Sequence, residues 1–180
     1  MCYVDDVIAT PTLADHIYRF DEVFDCMKCK PSKCEILRES IEYLGRIVDR
    51  HVKRTDPEAV ETVLTWKAPR TDTQLMSFLG FANYYRDFIK GYADKVYPVQ
   101  KLMRNKGKKF KWSKEAQAAF ENIKRELCEA PVLGMPTEKG MYVLDTDASV
   151  VAISRILHQE QEWNGRTVLR PIAYGSKVFE

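Results

Sequence analysis

The chain lacks any uninterrupted apolar run of the roughly 20 residues that a membrane-spanning helix takes. Its N-terminus has no basic region followed by an apolar core, so a secretory leader is not expected. An excess of charge of one sign is missing too. The 28 basic and 26 acidic residues leave a net +2. That balance neither demands nor excludes nucleic acid, and local clustering has to decide. Internal repeats and low-complexity tracts are absent. The five cysteines are odd in number (Cys2, Cys26, Cys29, Cys34, Cys128). With no leader, reduced thiols in an intracellular setting are expected rather than disulfides. Cys26, Cys29 and Cys34 would need His16 or His51 to complete a zinc site, and free cysteines near a turn are the preferred reading of so sparse a pattern. What is present, 45% hydrophobic and 30% charged residues over 180 positions, suits one medium or two small soluble domains.

Residues 1–10 suggest a β-hairpin, with Cys2-Tyr3-Val4 and Val7-Ile8-Ala9 as arms and Asp5-Asp6 at the turn. Thr10-Pro11 then opens a helix whose inward face carries Leu13, Ile17, Phe20, Phe24 and Met27. "KCKPSKCE" breaks it, and Ile41 to Val48 reads as a strand. From Asp56-Pro57 the pattern turns helical, with Val60, Val63 and Leu64 on one apolar side. Thr71 to Gln74 is a capping box, ahead of a long helix through Leu75, Phe78, Leu79, Ala82 and Phe88 that ends near Gly91. Ser113 caps a further helix through Ala116, Phe120, Ile123 and Leu127. After Pro136 the period returns to two, and residues 141–149, 151–159 and 169–174 read as three strands. Trp163-Asn164-Gly165 supplies the turn before the third.

Two adjacent carboxylates on a hairpin make a strongly negative point that a divalent cation can neutralise. Magnesium takes one or two carboxylates together with substrate phosphates. Paired ions of this kind activate an attacking oxygen and stabilise a leaving one in phosphoryl transfer. The plain alternative is a solvated turn, where aspartate is common. Further along, "RNKGKKFKW" gathers Arg104, Lys106, Lys108, Lys109 and Lys111 beside Phe110 and Trp112. Clustered cations of that sort favour phosphates, although a solvated basic loop has the same composition.

Tyr3-Val4-Asp5-Asp6 resembles the Y-x-D-D motif of reverse transcriptases. "KCKPSKCEIL", "IEYLGRIV", "DPEAVETVLTWKAPRT", "LMSFLGFANYYRDFIKGYA", "FKWSKEAQAAFENIKRELCEAPVL" and "YVLDTDAS" follow in order. Together they resemble the polyprotein of gypsy-class long-terminal-repeat retrotransposons over essentially the whole chain. The resemblance implies an α+β fold in three parts. These are the C-terminal part of a polymerase palm (1–51), a helical thumb with connecting helices (52–136), and the first strands of a ribonuclease H-like domain (137–180). It implies that Asp5 and Asp6 are the palm's metal-binding pair and that Tyr3 packs beside the primer end. Lys33 becomes a candidate acid for the pyrophosphate leaving group, and Tyr43-Leu44-Gly45 the primer grip. Gly80 and Tyr84, four apart on one helix face, would track a duplex together, with Lys108 and Lys109 on its phosphates. Asp147 would be the first metal carboxylate of ribonuclease H, with Asp145 the poorer candidate. The implied cofactor is magnesium. The implied partners are an RNA–DNA hybrid or DNA duplex primer–template and, in the parent enzyme, deoxynucleotides. A cytoplasmic particle or the nucleus is the implied location.

Departures from the family bear on activity. A third palm aspartate is expected well before the Y-x-D-D hairpin, and further ribonuclease H acids after residue 180. The chain is therefore expected to catalyse neither polymerisation nor hybrid hydrolysis alone. Two other readings are a duplex-binding module without chemistry and a translated relic. Arg155 falls on the strand face of Ile153 and Leu157, where it must reach outward or distort the strand.

Overall fold

The computed structural model describes residues 38–103 and 110–179, and before them only positions 2–3, 6–7, 17–18, 22–25, 28, 30 and 32. Strands β1 (Cys2–Tyr3) and β2 (Asp6–Val7) pair antiparallel with Tyr3 opposite Asp6. Asp6 thus lies on a strand rather than at the turn, because the register closes the hairpin one residue earlier than expected. Asp5 lies outside the described residues, as do Leu13, Phe20 and Met27 of the first expected helix. Positions 17–18 and 22–25 are helical, yet Ile17 is 58% and Phe24 48% exposed. Periodicity identifies residues that share a face; it does not supply the surface that covers it.

The stretch expected as one strand is a hairpin. Strand β3 (Ser40–Tyr43) returns as β4 (Arg46–Asp49), with Tyr43 opposite Arg46. The two residues between them, Leu44 and Gly45, have φ of +51° and +64°, the backbone of a tight hairpin turn. Asp49 then folds the chain into β5 (Val52–Thr55) by accepting the His51 and Val52 N–H groups at 2.7 and 2.8 Å. A distant two-residue strand, β6 (Leu133–Gly134), completes the order β3-β4-β5-β6. This sheet runs across the boundary expected at residue 51.

Four helices follow β5 among the described residues. Asp56 caps α1 (Pro57–Leu64) through the Glu58 N–H, and Val60 and Val63 are buried as their spacing predicts. Leu64 instead turns outward, 50% exposed. Thr71 caps α2 (Asp72–Tyr84) through the Gln74 N–H at 3.2 Å, while the Gln74 amide oxygen accepts from Arg70 at 2.8 Å. The expected reciprocal box therefore closes one residue upstream of the cap. Leu75, Phe78, Leu79 and Ala82 are buried, but α2 ends at Tyr84, and Phe88 reaches the core from a separate 3-10 turn, Arg86–Phe88. Gly91, at φ +62°, leads into α3 (Tyr92–Met103) rather than ending α2. Ser113 caps α4 (Lys114–Cys128), which buries Ala116, Phe120, Ile123 and Leu127 as expected. Phe78 and Phe120 meet at 4.6 Å in the centre of this core.

The remaining chain is an antiparallel meander, β7 (Tyr142–Ala148), β8 (Ala152–Trp163) and β9 (Arg166–Val178), in that spatial order. Asn164 and Gly165, at φ +51° and +72°, make the expected turn. Both long strands outrun their expected limits because Pro171 sits at a register shift opposite His158, where a proline costs the ladder nothing. The skipped residue, Ile172, is 4% exposed and points into the core. Arg155 is exposed and lies over Gly175, where a Cβ would stand 2.8 Å from its Nε, so no guanidinium is buried and the strand is undistorted there. Gln159, fully buried, donates to the Thr137 and Lys139 carbonyls at 2.8 and 3.0 Å and pins the segment between β6 and β7. The meander joins the helices through Ser176, whose Oγ accepts the Ala93 N–H at 2.9 Å and whose carbonyl accepts from Arg86. Tyr174 packs on the helical core beside it.

Candidate nucleic-acid interface

A tight hairpin turn leaves carbonyl oxygens outside the strand ladder, and a helix leaves its last carbonyls without partners. Here the two deficits cancel. Tyr84, the last residue of α2, donates its hydroxyl to the Leu44 carbonyl, and Tyr85 donates to the Gly45 carbonyl at 2.8 Å. In return Arg46, just past the turn, donates to the Tyr84 carbonyl at 2.8 Å. The same guanidinium grips both carboxylate oxygens of Asp87 at 3.1 Å and lies 5.0 Å from the Tyr84 ring centroid. Lys53 adds a second cation to Asp87 at 3.6 Å. Burial, reinforced by the neighbouring Tyr84 phenol and the Asp56 carboxylate, raises the Tyr85 phenol above its ordinary range and keeps it a donor. Gly45 is required twice over: its φ is left-handed, and a Cβ would come 3.0 Å from the Tyr85 hydroxyl.

Gly80 lies one turn before Tyr84 on α2. A Cβ added there would meet nothing within 4 Å, so the fold has no steric use for glycine at this position. In a helix interior it costs about 1 kcal/mol relative to alanine. It floors an open groove between α2 and α3, with Met76 and Asn83 beside it and Gln100 and Met103 opposite. The structure thus brings together three expected elements: the Tyr43-Leu44-Gly45 turn, Tyr84 and Gly80. Tyr43 itself is 8% exposed and serves the core. Arg46, Tyr85 and Asp87, which hold the arrangement, escaped the sequence reading; Arg46 directly after a Leu-Gly turn was the available signal.

The side chains of the other expected site residues lie outside the described residues or on β7. Asp5, Lys33, Lys108 and Lys109 lie outside the described residues, and of Tyr3 and Asp6 only the strand backbone is described. The aromatics of the basic segment turn inward: Phe110 and Trp112 stack at 6.2 Å and pack on the core, with Trp112 donating to Gln117 at 2.6 Å. Asp147 is exposed on β7, opposite Ser154, and Asp145 is engaged by His158 at 3.2 Å. Among the described residues no three His, Cys, Asp or Glu side chains converge to hold a metal ion. Asp147 and Asp145 lie two apart on β7, so they supply two carboxylates on one strand face.

Residues 112–180 match the RNase H-like domain found in reverse transcriptase. The retrovirus-related Pol polyprotein from transposon 297 of Drosophila melanogaster is 32% identical over 99% of this chain. The chain is a relative of retrotransposon Pol polyproteins. The Pol polyprotein from transposon gypsy, also of Drosophila melanogaster, is 33% identical over 88% of it. The chain spans 17% of the length of each of these relatives. In fold it matches the foamy viral protease-reverse transcriptase solved with an RNA/DNA hybrid, at TM-score 0.75 and 24% identity, over 96% of this chain and 24% of that one. The RNase H-like match at residues 112–180 begins just ahead of α4 and takes in that helix as well as the meander. The expected mixture of helix and sheet is thus shown.

Proposed function

We propose that this chain is the duplex-holding part of a retrotransposon reverse transcriptase, with a nucleic-acid duplex lying along the Gly80 face of α2. In this reading β3 and β4 belong to the palm, α1 to α4 form the thumb, and the Leu44-Gly45 turn supports the primer strand. The observation that carries the reading is Gly80, a mid-helix glycine exposed beside an open groove and needed by nothing inside the fold. A missing side chain lets the helix backbone approach a sugar–phosphate surface closely. The reverse transcriptases of matching fold were solved with double-stranded DNA and with an RNA/DNA hybrid, which supports both as partners here.

Asp5 and Asp6 are the proposed magnesium ligands of the parent polymerase, where the ion would organise the phosphates of an incoming deoxynucleotide. Lys33, Lys108 and Lys109 are proposed cationic contacts, and Asp147 a ribonuclease H acid that needs further ligands. Duplex binding, without chemistry, is what we assign to these 180 residues.

Fluorescence anisotropy with a labelled RNA–DNA hybrid across a salt series tests binding. Affinity should fall steeply with salt and drop on Gly80→Leu and on Tyr84→Ala. Binding that ignores both substitutions would reduce the interaction to charge alone. Primer-extension or hybrid-cleavage activity above an Asp5→Asn, Asp6→Asn, Asp147→Asn control would overturn the assignment of binding only.

A further inference from the structure

The hairpin that joins β8 to β9 carries a cluster of its own near its tip. Directly opposed residues of an antiparallel pair share a sheet face. Trp163 therefore shares a face with Arg166, and Gln159 with Arg170, with Gln161 between Gln159 and Trp163 on that side of β8. The acids of this arm, Glu160 and Glu162, fall on the other face. The hairpin is thus sorted by charge, with an indole on its cationic side.

The Arg170 guanidinium lies 4.2 Å from the Trp163 ring centroid. A buried amide helps to hold it there. Gln161, 8% exposed, accepts from Arg170 at 3.3 Å and donates to the Met135 carbonyl at 2.7 Å and to Gln159 at 3.0 Å. His51, in the turn between β4 and β5, meets the indole edge-on at 6.2 Å. The His51 carbonyl accepts the Met135 N–H at 2.8 Å, which ties that turn to the segment that anchors Gln161. Arg50, beside His51, is exposed, as is Arg166. Neither these two nor Arg170 forms an ion pair among the described residues. Asp49, the acid next to Arg50, accepts the His51 and Val52 N–H groups through one oxygen. Trp163 itself stays 41% exposed, whereas Trp66 and Trp112 pack on the helical core.

Every nucleobase offers a flat π-face that stacks on an aromatic ring whatever the sequence, and neighbouring guanidiniums meet the phosphates. A duplex keeps its base faces inside its own stack, so an open indole suits an unpaired strand. An acidic peptide would satisfy the cations but present nothing flat to the ring. We propose that Trp163, backed by Arg170 and flanked by Arg50 and Arg166, is a stacking platform for an unpaired base of a nucleic-acid single strand. It shares no residue with the Gly80 groove and does not rest on the duplex reading.

The full chain is titrated with a short labelled oligodeoxythymidine and followed by anisotropy and by tryptophan fluorescence. Trp163→Ala should weaken binding about ten-fold or more. Trp163→Phe retains a stacking ring and should keep most of the affinity, while the fluorescence quenching that accompanies binding disappears with the indole. Arg50→Ala and Arg166→Ala should each lower the slope of log affinity against log salt by about 0.7. Affinity indifferent to Trp163→Ala would overturn the platform, as would quenching that persists in Trp163→Phe. Displacement of the strand by poly-glutamate at equal charge would assign the face to an acidic protein and overturn it too. The hybrid assay with Gly80→Leu stands apart from each of these outcomes.

Discussion

Gly80→Ala separates folding from binding at a single carbon. In the interior of α2 the added Cβ meets no atom within 4 Å. Only helix propensity then acts on the folded state, and alanine gains about 0.5–1 kcal/mol over glycine. For a chain of this size that corresponds to a rise in melting temperature of about 1–4 °C. The same carbon projects into the groove in which we place the duplex. A close-packed interface responds to an inserted methyl with a penalty of about 1–3 kcal/mol, or at least several-fold in affinity. Thermal unfolding followed by circular dichroism, paired with hybrid anisotropy at fixed salt, reads both effects on one sample. The expected result is a more stable protein that binds less well. Gly80→Leu should widen the binding loss without reversing the gain in stability. A lower melting temperature for Gly80→Ala would show that the fold does need this glycine. A more stable protein with unchanged hybrid affinity would remove the duplex from the groove.

Arg46→Ala removes the bonds to Asp87 and to the Tyr84 carbonyl at a site about one-quarter exposed, and should cost about 2 kcal/mol in urea unfolding. A double-mutant cycle with Asp87→Ala should return a coupling near 1 kcal/mol after solvent screening; additivity would show the pair to be idle. Gln159→Leu leaves the Thr137 N–H and the Thr137 and Lys139 carbonyls unpaired, so it should cost about 2–4 kcal/mol despite its apolar character, as measured by thermal unfolding. Tyr85, Tyr92 and Tyr174 are all held neutral chiefly by burial, with folded pKa above the unfolded value of 10.0. Their stabilisation is complete below that value and is lost as pH rises past it, so unfolding free energy should decline above pH ~10 and decline less steeply in Tyr92→Phe.

Helices whose caps and apolar stripe agree were legible in the sequence. Asp56, Thr71 and Ser113 each mark a start by a local hydrogen bond, and the stripe from Leu75 to Ala82 faces the core as its spacing requires. Helix α3 was not legible. Pro98 sits inside it and signals a break, while the face that is in fact buried, Tyr92, Ala93, Val96 and Val99, mixes an aromatic with small residues. Strand β6 was invisible for a different reason. Two residues carry no period, and Leu133-Gly134 is a strand only because β5 offers its edge. The Leu44-Gly45 turn was quoted in sequence as part of a strand, since Ile41 to Val48 is rich in β-formers on both sides and leucine seldom adopts positive φ. The candidate site fared similarly. Gly80 and Tyr84 were found by spacing and resemblance, but Arg86 meets Ser176 only through the packing of a helix end against a strand 90 residues later, a contact that no local pattern encodes.

That leucine at positive φ shows how the site is held. Leu44 is intrinsically poor at this position, by about 1 kcal/mol against glycine or asparagine, and the turn persists because its surroundings over-determine it. Its carbonyl is tied to Tyr84 and that of Gly45 to Tyr85, and Arg46 closes the loop on the end of α2. The turn and the helix face that carries Gly80 are therefore one rigid unit, although some 40 residues of chain separate them. A duplex resting on the Gly80 face would have its position relative to the turn fixed before it bound, since neither element moves without breaking the other's caps. Leu44→Asn distinguishes rigidity from mere tolerance. Asparagine relaxes the backbone at residue 44 while leaving every carbonyl in place, so the protein should gain stability with hybrid affinity unchanged. A loss of affinity despite that gain would mean that the leucine side chain itself touches the duplex, and that the turn contributes contact and not only position.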